Sequence, residues 1–281
     1  MRFLKINFLN TFFTVLIFFS ANTLIGAQDF QGKAYYSSKS TMELGRWGAK
    51  MSEEQKKQIK ERLKNRLEKT YTLTFNKEES VFIEDDKLDA ISGATDSWGK
   101  NFTTGKQYKN VKTNALLQSQ EFYGKQFLVE DKLLSVEWIM GAETKQIGIY
   151  NCLKATALIP ASELSWYDFS WDKLRNSKKD ETDEAKDDEK EEEVAMIEIE
   201  AWYTPQIPVS HGPLEYSGLP GLILEVNAGN TIMLCSKIIM NPEEKMKIEA
   251  PNKGKAVTKN EYQEIITGKM EEMRNMYRGR G

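Results

Sequence analysis

His211 is the only histidine in the 281-residue chain, and Cys152 and Cys235 are its only cysteines. A Ser–His or Cys–His nucleophilic site would therefore have to be built on one imidazole. Ser210 is merely its neighbour in sequence, and Ser217-Gly218 completes no G-x-S-x-G elbow. Glu198, Glu200, Glu215 and Glu225 surround the same stretch and keep a hydrolase with paired carboxylates open, although strand alternation sends most of them to a solvated face. No nucleophile, base and oxyanion donor assemble into a set, so a non-enzymatic protein is expected. Soft-metal chemistry is the other option. Met270, Met273 and Met276 recur every third residue, and thioethers with Cys and His suit copper(I) in an oxidising compartment. At 100° per residue Met276 falls about 120° around a helix from Met270, which favours core filling. Glu84, Asp85, Asp86 and Asp89 lack the ligand spacing and the glycine of a calcium loop. No metal ligand is assigned and no cofactor is expected.

The residues with the most constrained placement lie between Ala201 and Val226, a stretch holding four of the seven prolines and the single histidine. Pro205, Pro208 and Pro213 exclude helix and an ordinary central strand, because each fixes φ and lacks a backbone donor. Leu219-Pro220-Gly221-Leu222 predicts a type II turn, with Pro220 second and Gly221 supplying positive φ at the third position. Trp202, Tyr203, Ile207, Leu214 and Tyr216 are too apolar for a solvated loop. Two readings follow. Trp202, Tyr203, Pro205, Ile207, Pro208, His211, Gly218, Leu219, Pro220 and Gly221 form a rigid surface that binds at little ordering cost, or the same segment is a plug that closes a sheet.

Gly218-Leu219-Pro220-Gly221-Leu222-Ile223, preceded by Trp202-Tyr203-Thr204-Pro205, Ile207-Pro208 and Gly212-Pro213, resembles the signature of the GLPGLI family of exported proteins from Bacteroidetes-type bacteria. Tyr150-Asn151-Cys152-Leu153-Lys154-Ala155-Thr156 is similar to a second element of that family. The resemblance implies a β-rich cell-envelope protein and carries no catalytic role onto any residue. It leaves a partner in the envelope, an outer-membrane receptor included, conceivable.

Residues 1–27 read as an export signal: Arg2 and Lys5, an apolar run from Phe8 to Phe19, then Gly26-Ala27 before the expected cleavage. The apolar run is shorter than the roughly 20 residues of a spanning helix, so no transmembrane span is expected after cleavage. The periplasm, the outer membrane or the medium is the expected location. Export would allow a Cys152–Cys235 disulfide to persist; a bridge and two buried thiols both remain open, to be decided by strand parity. A net charge of −3 without a concentrated basic stripe argues against nucleic acid, leaving an envelope protein or a small apolar ligand as the expected partner.

The elements that must hold these residues are mainly strands. Phe30 to Ser38 alternates as a strand, and Ser52 to Lys69 reads as a helix with a Ser52/Gln55 capping box and an apolar stripe at Ile59, Leu63, Leu67 and Tyr71. That helix is basic, and a membrane-surface reading stands beside the simpler one of a helix lying on a sheet. Short alternating runs at Thr70–Asn76, Ser80–Glu84, Gln107–Lys112, Gln118–Tyr123, Gln126–Glu130 and Leu134–Met140 predict an antiparallel meander. Lys145 to Leu158, Val194 to Tyr203 and Thr231 to Met240 are further strands, the last entered through a hairpin at Asn227–Asn230, and Lys245–Glu249 is a candidate final one. Gly45–Ala49 and Asp85–Gly105 read as loops, the second containing the glycosylation triplet Asn101-Phe102-Thr103. Residues 173–193 form an acidic insertion too polar to order, within a single domain spanning 28–281. Thr258 to Tyr277 is a closing helix, capped by Thr258 and Glu261, with Tyr262, Ile266, Met270, Met273 and Tyr277 on one face. The fold class is mainly β: a large curved antiparallel sheet or half-barrel, flanked by N-terminal and C-terminal helices.

Overall fold

Alternation writes the first strand: Ala34, Tyr36 and Ser38 are buried, while Lys33, Tyr35, Ser37 and Lys39 between them are not. In the computed structural model, which describes residues 30–41, 50–85, 103–169 and 195–278, this is β1, Gln31–Ser40. The export signal, the Gly45–Ala49 loop, Asp86, Asp89, Asn101-Phe102 and the 173–193 insertion lie outside the described residues. The other strands are β2 (Glu68–Asn76), β3 (Glu79–Glu84), β4 (Gln107–Asn110), β5 (Ala115–Phe122), β6 (Lys125–Lys132), β7 (Ile139–Ile147), β8 (Tyr150–Pro160), β9 (Met196–Thr204), β10 (Leu222–Ala228), β11 (Thr231–Met240) and β12 (Lys255–Val257). All twelve join one sheet in the order β12-β6-β5-β4-β3-β2-β1-β11-β10-β9-β8-β7, which is not closed into a barrel. Every pairing is antiparallel except β12 with β6. The meander from β2 to β6 is the one that the short alternating runs predict.

One face of the sheet is covered. It carries Tyr36, Tyr71, Leu73, Phe75 and Phe82 at the centre, and Ile199, Ala201, Tyr203, Ala155 and Ala157 towards β8. The α3 helix, Lys259–Arg278, lays Tyr262, Ile266 and Met270 on Phe122, Phe127 and Val129. Thr258 caps it as the sequence predicts, accepting from the backbone of Glu261 at 3.2 Å and receiving that residue's carboxylate at its own N–H at 2.7 Å. The α1 helix, Glu53–Leu67, begins with the predicted reciprocal box, Gln55 N–H to Ser52 at 3.2 Å and Ser52 N–H to Gln55 at 2.9 Å. A single turn, α2 (Ala161–Leu164), follows β8.

The structure departs from the sequence reading of strand and helix limits at four places. Lys145 to Leu158 is not one strand but the end of β7, a two-residue turn at Gly148-Ile149 and most of β8; alternation runs straight through the turn, and Gly148 at φ +60° provides the primed geometry a hairpin favours. Leu134, Val136 and Trp138 alternate like a strand but pack as a crossing segment against the β8–β10 cluster, so β7 starts later. Residues 245–249 are irregular, and Lys255–Val257 is the strand that closes the sheet. Tyr71 belongs to β2 rather than to the helical stripe.

Candidate functional site

The proline-rich segment leaves β9 at Thr204, crosses the covered face and returns at Leu222 into β10. Its own backbone bonds include three local ones, Ile207 N–H to Thr204 at 3.3 Å, Val209 N–H to Ile207 at 2.8 Å and Tyr216 N–H to Pro213 at 3.1 Å, and three longer ones, Leu222 N–H to Ile207 at 3.0 Å, Ile223 N–H to His211 at 3.0 Å and Gly218 N–H to Ser210 at 3.2 Å. The sheet supplies the rest. Lys109 on β4 is 1% exposed, and its ammonium donates to the carbonyls of Gly212 at 2.8 Å, Leu214 at 2.5 Å and Tyr216 at 3.2 Å. Leu214 adopts φ +45°, which helps bring three alternate carbonyls to one cation. Burial pulls the Lys109 pKa down to about 8, with the Glu215 carboxylate opposing the shift.

Glu215 is a second anchor. Its buried carboxylate accepts from Gln107 on β4 at 3.4 Å, from the Trp166 indole at 3.2 Å and from Lys259, first residue of α3, at 3.4 Å. One side chain thereby ties the crossing segment to the sheet, to the chain after α2 and to the closing helix. The Trp138 indole donates to the Ser217 carbonyl at 2.9 Å, and the Tyr36 hydroxyl donates to the Ile223 carbonyl at 2.6 Å. Neither Lys109 nor Glu215 was singled out from sequence as an anchor. Gln107 and Lys109 on β4 and Gln118 and Gln120 on β5 do share one sheet face, and a patch of long polar side chains is ordinarily read as solvated.

His211 is fully buried. Its Nε2 lies 3.0 Å from the Asn76 carbonyl, which can only accept, so the proton sits on Nε2; Nδ1 has no partner among the described residues. Burial, followed by the positive charge of Lys109, drives its pKa down to about 3. This imidazole is neutral and enclosed, with neither of the cysteines hydrogen-bonded to it.

The other candidate residues divide by parity. Trp202 lies on the outer face with Lys145 and Lys154 over its ring at 5.2 and 5.8 Å, while Tyr203 points into the core. Ile207 and Leu219 are buried; Pro205, Pro208, Gly218 and Pro220 are the exposed ridge of the segment. Gly221 does not take the positive φ of a type II turn; Gly218 does, at +94°. What requires glycine at 221 is proximity, since a Cβ there would stand 2.3 Å from the Thr204 carbonyl oxygen. Glu200 and Glu225 are outer-face partners of Lys154 (2.9 Å) and Lys145 (2.6 Å), so they share no site with Glu215 on the covered face. Hydrogen bonding to Lys154 and to the Trp202 indole holds Glu200 below the usual carboxylate range. Met270 is buried and Met273 packs beside it, but Met276 is 60% exposed, so the three thioethers face no common point. Among the described residues no cluster of three His, Cys, Asp or Glu could hold a metal ion.

Cys152 and Cys235 are two buried free thiols rather than a disulfide. β9 and β10 separate their strands, about 14 Å at ordinary strand spacing. Parity also parts them: Leu153 packs into the covered-face cluster and so sends Cys152 outward, whereas Cys235 stands opposite covered-face Tyr36. Burial pushes the thiols up to about 11 and about 12 respectively.

Beside the crossing segment the covered face holds a cavity of about 410 Å³. Tyr71, Val226, Met233 and Ile197 of the sheet, Leu214 and Tyr216 of the segment, and Leu164 and Tyr167 after β8 form its apolar walls. Arg66, Lys69 and Asp168 stand among the polar residues that line it. Size and lining fit a small apolar or amphiphilic molecule. A roomier, more open trough of about 680 Å³ lies between residues 249–253 and the β5–β6 hairpin, with exposed Glu121, Gln126, Glu249, Asn252 and Lys253 around buried Gln120 and Phe127.

Fold and site together define an open, almost wholly antiparallel sheet protein with a proline-rich strap buried on one face. Residues 138–225, from Trp138 through β7, β8, β9 and the strap into β10, match the model of a family described as a protein of unknown function, Porph_ging. Among the curated proteins, none is similar in sequence. Two solved structures of PNGF-II resemble this chain at 14% identity: one in space group C2 with a TM-score of 0.46, covering 84% of this chain and 32% of that one, and one in P21 with a TM-score of 0.41, covering 75% and 28%. The chain spans about a third of the length of those structures.

Proposed function

We propose that this is an exported, non-enzymatic cell-envelope protein that binds a small apolar or amphiphilic molecule in the cavity beside the proline-rich strap. The observation that carries the reading is the lining: ten aliphatic or aromatic side chains border about 410 Å³, with Arg66, Lys69 and Asp168 among the polar residues beside them. The strap then works as a wall. Its apolar residues are spent on the core, and Leu214 and Tyr216 are what it presents to a ligand. This joins the two readings of the strap: a plug that leaves a pocket at its side. The resemblance to the GLPGLI family and the signal-like residues 1–27 support the envelope.

Displacement of a polarity-sensitive dye by laurate tests the binding, with Ala228→Trp as the blocked form, since Ala228 lines the cavity. Wild type should bind and release the dye to laurate, while the folded variant should bind neither. Equal binding by both, or none by wild type, would overturn the reading. Cell fractionation tests the location: recovery in the cytosol with residues 1–27 retained would refute export.

A further inference from the structure

The α1 helix lies at the end of β1 and leads directly into β2. It carries six Lys or Arg against three Glu in fifteen residues, on a chain whose net charge is −3. Its apolar residues Ile59, Leu63 and Leu67 are only partly buried, and no described side chain of the helix is fully buried. By contrast α3 sinks Tyr262, Ile266 and Met270 completely. Beneath the α1 stripe runs an open groove of about 360 Å³, bounded by Ile59, Leu63 and Leu67 on the helix and by Ser40 and Thr41 at the end of β1. Lys57, Lys60 and Lys64 of the helix and Lys39 of the sheet surround it, against Glu61 and Glu68. Lys39 reaches Glu68 at a loose 3.8 Å, with its side chain 71% exposed.

An apolar slot ringed by exposed ammonium groups matches an acyl chain under an anionic headgroup. Lysines beside an apolar stripe, here narrow and without aromatics, are the charge arrangement that draws a helix to an anionic membrane surface. We propose that α1 docks this protein on an anionic lipid surface, with the groove under the helix receiving lipid. Ser40 and Leu67 line both this groove and the cavity beside the strap, so the docking surface adjoins the proposed ligand site. Docking itself requires no ligand in that cavity.

Co-sedimentation of the full chain with vesicles of phosphatidylcholine, alone or mixed with phosphatidylglycerol, tests the proposal. Wild type should prefer the anionic vesicles, and added salt should weaken that preference. Lys57→Glu/Lys60→Glu/Lys64→Glu should lower affinity for the anionic vesicles by about a hundredfold or more, since each basic residue near such a surface contributes about 1 kcal/mol. Ile59→Ser/Leu63→Ser should weaken binding to both compositions. All five positions are exposed or half-exposed, and unchanged circular dichroism verifies the fold. A wild type without preference for the anionic vesicles, or a charge-reversed variant that keeps it, overturns the proposal. Dye displacement from the inner cavity is a separate measurement, so either reading can fail while the other stands.

Discussion

Two buried side chains hold the strap by opposite means. Lys109 places a cation where three carbonyls converge, and truncating it leaves those carbonyls buried without a donor. Lys109→Met keeps most of the stem and removes the charge. Urea unfolding should show a loss of about 3–5 kcal/mol, with new protease cleavage between residues 205 and 221; a variant as stable as wild type would mean the carbonyls find other donors. His211 works by staying neutral. Its folded pKa of about 3 lies below the unfolded value of about 6.5, so the unfolded chain takes up the proton first as pH falls. Its contribution is intact above about pH 6.5 and declines from there towards pH 3. Between pH 7 and pH 5 the wild type should lose about 2 kcal/mol more than His211→Gln, which retains a donor for the Asn76 carbonyl but cannot titrate. Parallel pH profiles for the two proteins would refute the assignment.

At the scale of elements, the sequence was legible wherever one face is apolar and the other polar. Strand β9 shows it: Ile197, Ile199, Ala201 and Tyr203 lie inside, with Glu198, Glu200 and Trp202 outside, as alternation requires. Both helix caps were readable because capping is local. Legibility ended where geometry depends on distant chain. Trp138 alternates with Val136 and Leu134 as a strand would, yet it is recruited by the strap, and the β7–β8 turn hides in an unbroken alternation. The strap glycines show the same limit, since Gly221 is needed for the nearness of Thr204 rather than for a turn. Gly218→Ala meets no close neighbour and should suffer only from its φ of +94°, a cost of about 1–2 kcal/mol. Gly221→Ala forces backbone against backbone and should cost more, through displacement of the strap. Thermal unfolding of both variants gives the order, and a Gly218→Ala less stable than Gly221→Ala would reverse the reasoning.

Across the whole molecule, the strand order makes β1 the seam. The meander β2–β6 lies on one side and β11–β7 on the other, and β1 pairs with β2 and β11 along nearly its full length. Its contacts to β11 join residues about 200 positions apart, and the bond from the Tyr36 hydroxyl of β1 to the Ile223 carbonyl of β10 reaches past β11 with a separation of 187. Such pairing is costly in loop entropy before it returns any stability, so the seam should form late and folding should be slow. Ala34, with no exposed surface, lies at the middle of the seam opposite Leu73 and Ile238. A proline there removes a ladder bond and wedges its ring between two partner strands, whereas β7 has one partner and a free edge. Ala34→Pro should therefore abolish cooperative thermal unfolding, while Thr144→Pro on exposed β7 should leave a single transition lowered by a few degrees. If Ala34→Pro melts cooperatively near the wild-type temperature, the two halves hold together by the covered-face packing of the strap and not by β1.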